Sequence, residues 1–559
     1  MKKFKIFHFR LSVQRIGMIA LLLAAIFACR PAAAQYYSWG SDAPSFRWSR
    51  IRTPDYSILY PDTLGFVARR TAHYIESVRP SVGYGFRYGP LPRMPFVMHP
   101  ENFYANGLTM WLPKRIDYLA IPETDGYSMP WHKHLTAHEY RHTVQYNNLN
   151  RGAARVLSWF LGEQGSVVGL IFLPLWVIEG DATLFETQVS TYGRGLQPSF
   201  TIAYRALGRE VLARRNIDKW FCGSYRDAVP NHYNLGYQMV SWSYERYGDS
   251  LWSDVSRYGA RNPYVISTTA VALKKYASTS VVKLFRDTFS ELNDFWEAAD
   301  TVSDSGRRIS PPAKLYTQYE YPQYLPDGRI LALKSGLAHT SRFTAVGVQS
   351  GAEQPMSHTG QLSSRPVSDG RRVWWTEYRR SKLFEERVNS RLCYMDLADG
   401  KTHTVPRLRN ALYPTPAGDS LAWIEYRIDG RYLLAVAGGG DPADEVRRIE
   451  MPQDKEIHGL AWDDVTRRFY VIVTDDSGMW IAAVGEKGSL SHITGSAYIT
   501  LSNLRAGGGR LYFGSIASGK DEAHTVDLND TVQRRITASR YGAFAPAPRQ
   551  STFPNRRSQ

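Results

Sequence analysis

Cysteine is scarce in this 559-residue chain, which holds only Cys29, Cys222 and Cys393. That count excludes a disulfide framework and a cysteine zinc site, so any metal must be held by histidine and carboxylate. Long apolar runs are missing too. The stretch from Ile16 to Ala28 has about 13 residues, short of the roughly 20 that a membrane-spanning helix needs. Acidic residues are absent from the first 34 positions, which carry Lys2, Lys3, Lys5, Arg10, Arg15 and Arg30. No run of basic residues interleaved with aromatics occurs, and pairs such as Arg69-Arg70, Arg371-Arg372 and Arg467-Arg468 are scattered. A groove that tracks phosphates is therefore not expected.

The basic start, short apolar stretch and Ala32-Ala33-Ala34 before Gln35 read as a secretory signal over residues 1–34. Ile26-Phe27-Ala28-Cys29 also resembles a bacterial lipoprotein signal, so lipidation at Cys29, cleavage before Gln35 and an uncleaved anchor stand as alternatives. Removing the segment leaves 62 basic and 52 acidic residues, a net of +10 in place of +16. Export and this dilution argue against a nucleic-acid partner. The expected location is the periplasm or cell envelope, with outer-membrane association and peripheral membrane contact left open.

What is present describes a folded chain: 43% hydrophobic and 13% aromatic residues, more than one core holds. Residues 35–301 mix strand-like runs such as Phe96-Val97-Met98 with helical stretches at Leu64–Val78, Leu135–Asn147, Phe200–Arg215 and Gly236–Tyr247. This pattern predicts an α+β domain. Residues 302–315 form a polar linker ending in Pro311-Pro312 and its neighbours, 316–548 a repeat region, and 549–559 a disordered tail.

The repeat region predicts an all-β propeller. Tyr321 to Leu333, with Asp327-Gly328 at its centre, recurs as Arg365 to Trp375 with Asp369-Gly370. Looser copies run from Tyr413, Gly459 and Asn503, about 42–49 residues apart, and Tyr541 begins a sixth. Each copy joins two strands through a tight turn, and the period matches one four-stranded blade. These copies resemble TolB-type, WD-like β-propeller repeats. Either a strand near Tyr316 completes a six-bladed ring, or the chain is shorter than that architecture.

The sharpest local motif is His138-Glu139-Tyr140-Arg141-His142. Histidines at i and i+4 share one helix face and can reach one ion, with Glu139 beside its water. Downstream stands Trp176-Val177-Ile178-Glu179-Gly180-Asp181-Ala182. The two motifs together resemble the gluzincin, peptidase MA-like metallopeptidases. That resemblance implies a zincin-like domain binding one Zn2+ through His138, His142 and Glu179, with Glu139 as general base. The 36-residue gap between His142 and Glu179 exceeds that of compact members. Its apolar runs Val156–Leu161 and Val167–Leu173 suit packing, a channel wall or membrane contact.

Tyr233-x-x-Gly236 resembles the helix whose tyrosine stabilises the oxyanion in aminopeptidase N-like relatives, with Tyr237 and His232 as competitors. Glu186, two turns after Glu179, is a candidate to orient a ligand histidine. Asn106-Gly107-Leu108-Thr109 and Ile116–Ile121 predict a strand pair whose edge accepts substrate backbone. A Gly-x-Met-Glu-Asn motif for a free amino terminus is missing, which favours endopeptidase over aminopeptidase action. The expectation is a secreted zinc metallopeptidase acting on peptides or proteins. The alternative is an envelope binding or assembly protein whose propeller engages an envelope partner while the peptidase-like domain hydrolyses little.

Overall fold

The computed structural model describes residues 41–530 and 533–535, apart from 87–89, 163–172, 191–192, 266, 300–306, 407, 441, 443–444, 495–498 and 517–520. The signal, Cys29, most of Val167–Leu173, much of the linker, the sixth copy at Tyr541 and the tail lie outside these residues.

The amino-terminal half opens with a five-stranded sheet. Strands β1 (Trp48–Arg52) and β2 (Tyr56–Pro61) form a hairpin, and helix α1 (Gly65–Val78) leads to β3 (Met94–His99), parallel to β2. A second hairpin, β4 (Gly107–Trp111) and β5 (Lys114–Leu119), sets β5 parallel to β3 and leaves β4 at the sheet edge. Alternation in β3 turns Met94, Phe96 and Met98 inward, where they meet Val67, Ile75 and Val78 on one face of α1.

Helices follow: α2 (Trp131–Leu149), α3 (Gly152–Leu161), α4 (Leu175–Gln188), α5 (Pro198–Arg214, kinked at Gly208), α6 (Ile217–Cys222), α7 (His232–Tyr247), α8 (Leu251–Arg261), α9 (Thr268–Ala277) and α10 (Val281–Ala299). Helix α2 is central, with 16 of its 19 residues buried. Its Leu135, Ala137, Tyr140 and Val144 complete the sheet's core, while α4 and α7 share a second core through Trp176, Leu184, Leu235 and Met239. Glycines permit the α4–α7 crossing: a Cβ on Gly236 would lie 1.9 Å from the Trp176 carbonyl oxygen.

The second half is a five-bladed β-propeller of four-stranded antiparallel sheets. The blades are β6–β9 (Thr317–Tyr324, Ile330–Gly336, His339–Val346, Glu353–His358), β10–β13 (Leu362–Ser368, Arg372–Arg380, Val388–Asp396, Thr402–Thr404) and β14–β17 (Ala411–Ala417, Ser420–Tyr426, Tyr432–Ala437, Val446–Glu450). They continue with β18–β21 (Glu456–Asp463, Arg468–Asp475, Gly478–Val484, Leu490–His492) and β22–β25 (Leu501–Gly507, Arg510–Ser515, Glu522–Asp527, Gln533–Arg535). Apolar layers join neighbouring blades, as where Phe343 of the first meets Trp375 of the second. The chain leaving Tyr316 enters β6, which pairs with β7 in the first blade, so it does not complete a sixth. The turn glycines Gly328 and Gly370 have φ of 81° and 85°, a conformation that the Asp-Gly repeat supplies.

Every blade's first strand carries at least one extra residue where its register shifts, around Tyr321, Arg365, Tyr413, His458 and Asn503. Three of these residues meet the connection between β5 and α2. Tyr413 donates to the Thr124 carbonyl at 2.6 Å, Arg365 pairs with Asp125 at 3.2 Å, and Gly126 lies against the His458 ring. Phe103 and Ile121 enter the apolar layer between the third and fourth blades. The two halves also join through a backbone bridge between Asn102 and Val388.

Candidate metal centre

Helices α2 and α4 each begin after a proline, Pro130 and Pro174, whose extended backbone cannot continue a helix backwards. No side chain of its own segment caps α2. Instead the Trp131 N–H donates to both carboxylate oxygens of Glu456, on the propeller, at 3.0 Å. An acid at this end satisfies a free amide and complements the helix dipole.

Within α2 the one-turn spacing sets His138 and His142 edge-on, with ring centroids 4.9 Å apart. Nε2 of His138 lies 3.1 Å, and Nε2 of His142 3.4 Å, from Oε2 of Glu179 on α4. One donor atom from each of these three residues fits within 4.8 Å. Both Nδ1 atoms face acceptors: Glu186 Oε2 at 2.8 Å from His138, and Gln145 Oε1 at 2.8 Å from His142. Nδ1–H donation to those acceptors leaves the Nε2 lone pairs for a cation.

Charge reinforces this arrangement. Burial opposes a proton on His138, but hydrogen bonds and charge from Glu179 and Glu186 raise its pKa to about 10. Glu179 is desolvated, yet His142 and His138 hold it well below the usual carboxylate range. Glu186 is likewise kept ionised against burial by Arg194, His134 and His138. A divalent cation would occupy the position these two carboxylates and histidines favour for positive charge.

Glu139 points to the strand side. Thr109 Oγ1 lies 2.8 Å from both its carbonyl oxygen and Oε2, and strand β4 is pressed close. A Cβ on Gly107 would come within 2.5 Å of Leu135 Cδ1 and 3.0 Å of Glu139 Oε1. Asn106 precedes β4 and accepts from the Leu119 N–H at 3.1 Å. Tyr233 lies in the first turn of α7, its ring centroid 6.0 Å from that of His138. Burial and the Glu179 charge raise its hydroxyl pKa, so it remains a donor. Half-buried His232 stacks beside it at 4.6 Å. Tyr237 lies fully buried against Gly195 and Phe200, where burial and the Glu186 charge raise its hydroxyl pKa.

Several supporting residues escape the sequence motifs. Arg194 binds Glu186 with Nε at 2.7 Å and Nη2 at 3.1 Å, and stands 5.2 Å over the Tyr233 ring. His134 Nε2 reaches Glu186 at 2.9 Å, and the Tyr127 ring meets His134 edge-on. Tyr146 stacks on His142. Between the helices, Arg141 grips Asp181 with two hydrogen bonds of 2.7 and 2.8 Å, while Gln145 and Tyr244 donate to the same carboxylate. Helical spacing signals Gln145, one turn beyond His142; Arg194 carries no such local signal.

No family model and no curated protein matches the chain. Among solved structures, a puromycin-hydrolyzing peptidase of Mycobacterium tuberculosis matches with 14% identity and a TM-score of 0.32, over 42% of this chain and 40% of that one. A putative TolB from Agrobacterium tumefaciens matches with 13% identity and a TM-score of 0.32, over 39% and 80% respectively. A Pyrococcus horikoshii acylaminoacyl peptidase gives 14% and 0.28, over 40% and 39%. The chain thus spans about two fifths of the length of the two peptidases. The propeller rests on the strand order of its five sheets, and His138, His142 and Glu179 form a group of potential metal ligands.

Proposed function

We propose that the protein is a gluzincin-type zinc peptidase that cleaves within peptide or protein chains. One observation carries this reading: His138 Nε2, His142 Nε2 and a Glu179 oxygen converge within 4.8 Å, with Glu139 adjacent on the same helix. Two imidazoles and a carboxylate suit a catalytic zinc that keeps a position open. Zinc held there would supply a Lewis acid and lower the pKa of a bound water.

The chain's own groups would then divide the work. Glu139, held by Thr109, takes the proton from the attacking water and returns it to the leaving amine. Tyr233, kept protonated, donates to the developing oxyanion. Strand β4, paired on one side only, offers free backbone groups to an extended substrate. Glu186 and Gln145 hold the histidines in the ligating tautomer.

The binding-protein reading finds less support, because residues 124–126 of the same chain occupy the propeller's inner strands at Arg365, Tyr413 and His458. Zinc content and casein-type proteolysis of wild type and Glu139→Gln test the proposal. Near-equimolar zinc, with activity lowered about 10²-fold or more in the variant, is expected. A zinc-free protein from zinc-replete buffer overturns the ligation, and equal proteolysis overturns the base.

A further inference from the structure

Helix α3 (Gly152–Leu161) turns apolar side chains outward. Val156, Trp159, Phe160 and Leu161 are 46%, 71%, 81% and 53% exposed, and Ala154 is the one residue of the helix that is buried. Two adjacent aromatic residues this open to water are a poor solvated surface and a good insertion point. The helix has 10 residues, and no described helix is long and apolar enough to cross a membrane.

Positive charge gathers at the start of the same helix, with Arg155 one turn before Trp159. The start of α3 rests on the end of α8: a Cβ on Gly152, whose φ is +54°, would lie 2.9 Å from the Arg261 Cα. Arg151 and Arg155 therefore share one corner with Arg257 and Arg261. Desolvation lowers the Arg151 pKa, and repulsion from Arg257, Arg261 and Arg155 adds to it. Arg257 has Asp254 at 3.5 Å. Among the described residues, Arg151, Arg155 and Arg261 form no ion pair with a carboxylate.

We propose that this corner docks the protein on an anionic lipid bilayer, with Trp159 and Phe160 entering the headgroup–acyl boundary and the arginines meeting lipid phosphates. Aromatic residues at the tip of a short helix, flanked by unneutralised arginines, combine the two attractions that peripheral attachment requires. A protein partner with an acidic face would satisfy the arginines but gives no separate account of the outward pair of aromatics. The inference is independent of the metal centre and would stand if the peptidase reading failed.

The test is cosedimentation of the full chain with vesicles of phosphatidylcholine alone, or with about 30% phosphatidylglycerol. Wild type should pellet preferentially with the anionic vesicles. Trp159→Ser/Phe160→Ser should weaken partitioning about tenfold or more. Arg155→Glu/Arg261→Glu, or salt near 0.5 M, which shortens the Debye length to about 4 Å, should remove the anionic preference. Comparing variants with wild type in one preparation separates this face from any lipid at Cys29. Unchanged thermal unfolding midpoints show that the variants fold. The proposal is overturned if wild type ignores phosphatidylglycerol or if both double variants partition like it. It is also overturned if sedimentation velocity shows a dimer that Trp159→Ser/Phe160→Ser converts to monomer, since the face then belongs to a second copy.

Discussion

Helix α2 buries His132, His134, His138, Glu139, Arg141, His142, Gln145 and Asn148, whereas strand β19 of the propeller buries Tyr470, Val471, Ile472 and Val473 in succession. The first half encloses polar groups that are stable only as a connected set, because each unpaired member would be stranded without water. The second half stacks repeated apolar layers, in which one side chain's loss is felt mainly between two blades. A function that needs charge in a dry place is expected where the first kind of interior occurs. The propeller meets that half through the connection between β5 and α2.

Breaking a buried pair should expose this difference most strongly. Arg141→Met leaves Asp181 without its main cation and should cost about 3–5 kcal/mol in urea unfolding. Ile472→Val, which trims one methyl from the propeller core, should cost about 1 kcal/mol. Equal losses would erase the distinction between the two interiors. The next effect is on pH dependence. His99 is buried, which opposes its charge, but the Asp117 carboxylate 3.5 Å from Nε2 and the hydrogen bond between Nδ1 and Asp42 raise its pKa to about 9. Its unfolded pKa is about 6.5, so its contribution is fully present below that pH and fades as pH rises through 9. The contribution is at most about 3 kcal/mol. His99→Gln should therefore flatten the stability lost by wild type between pH 6 and pH 10; an unchanged slope would assign that loss elsewhere.

A smaller effect distinguishes the candidate ligands from the frame around them. Arg194 touches Glu186 and, at 3.3 Å, Nδ1 of His138, but not the Nε2 atoms that face Glu179, so it acts as a positioning residue. Arg194→Met should lower zinc affinity about 10–100-fold in chelator competition, and Arg194→Lys should recover part of it by restoring charge without the planar fork. Unaltered affinity in Arg194→Met would leave Glu186 held by His134 and His138 alone.

These residues also mark what the sequence discloses. His138, Glu139 and His142 lie within one helical turn, and Glu179 sits in a second compact motif, so their meeting was readable from spacing and resemblance. The propeller's hairpins were readable because Asp-Gly turns repeat at a blade's length. Arg194 meets Glu186 across a loop, and nothing in its neighbours announces that contact. The bulges at Tyr321 and Tyr413, with φ of 54° and 51°, follow no glycine signal. Helix α2 was expected from Leu135 but begins at Trp131. Its first turn lacks a local capping side chain, and the cap comes from a residue 325 positions away.

That distant cap provides the finest separation between the halves. Glu456 belongs to β18, but its two oxygens serve the first amide of α2. Glu456→Ala should cost about 1 kcal/mol, combining the lost cap with the lost charge at a helix N-terminus. Location is more telling than size here. If the propeller helps to set the helix of His138 and His142, amide exchange should quicken in the first turn of α2 while β18 and β19 keep their protection. If exchange rises in those strands instead, Glu456 stabilises its own blade, and the propeller's hold on the candidate site rests on the contacts at Arg365, Tyr413 and His458.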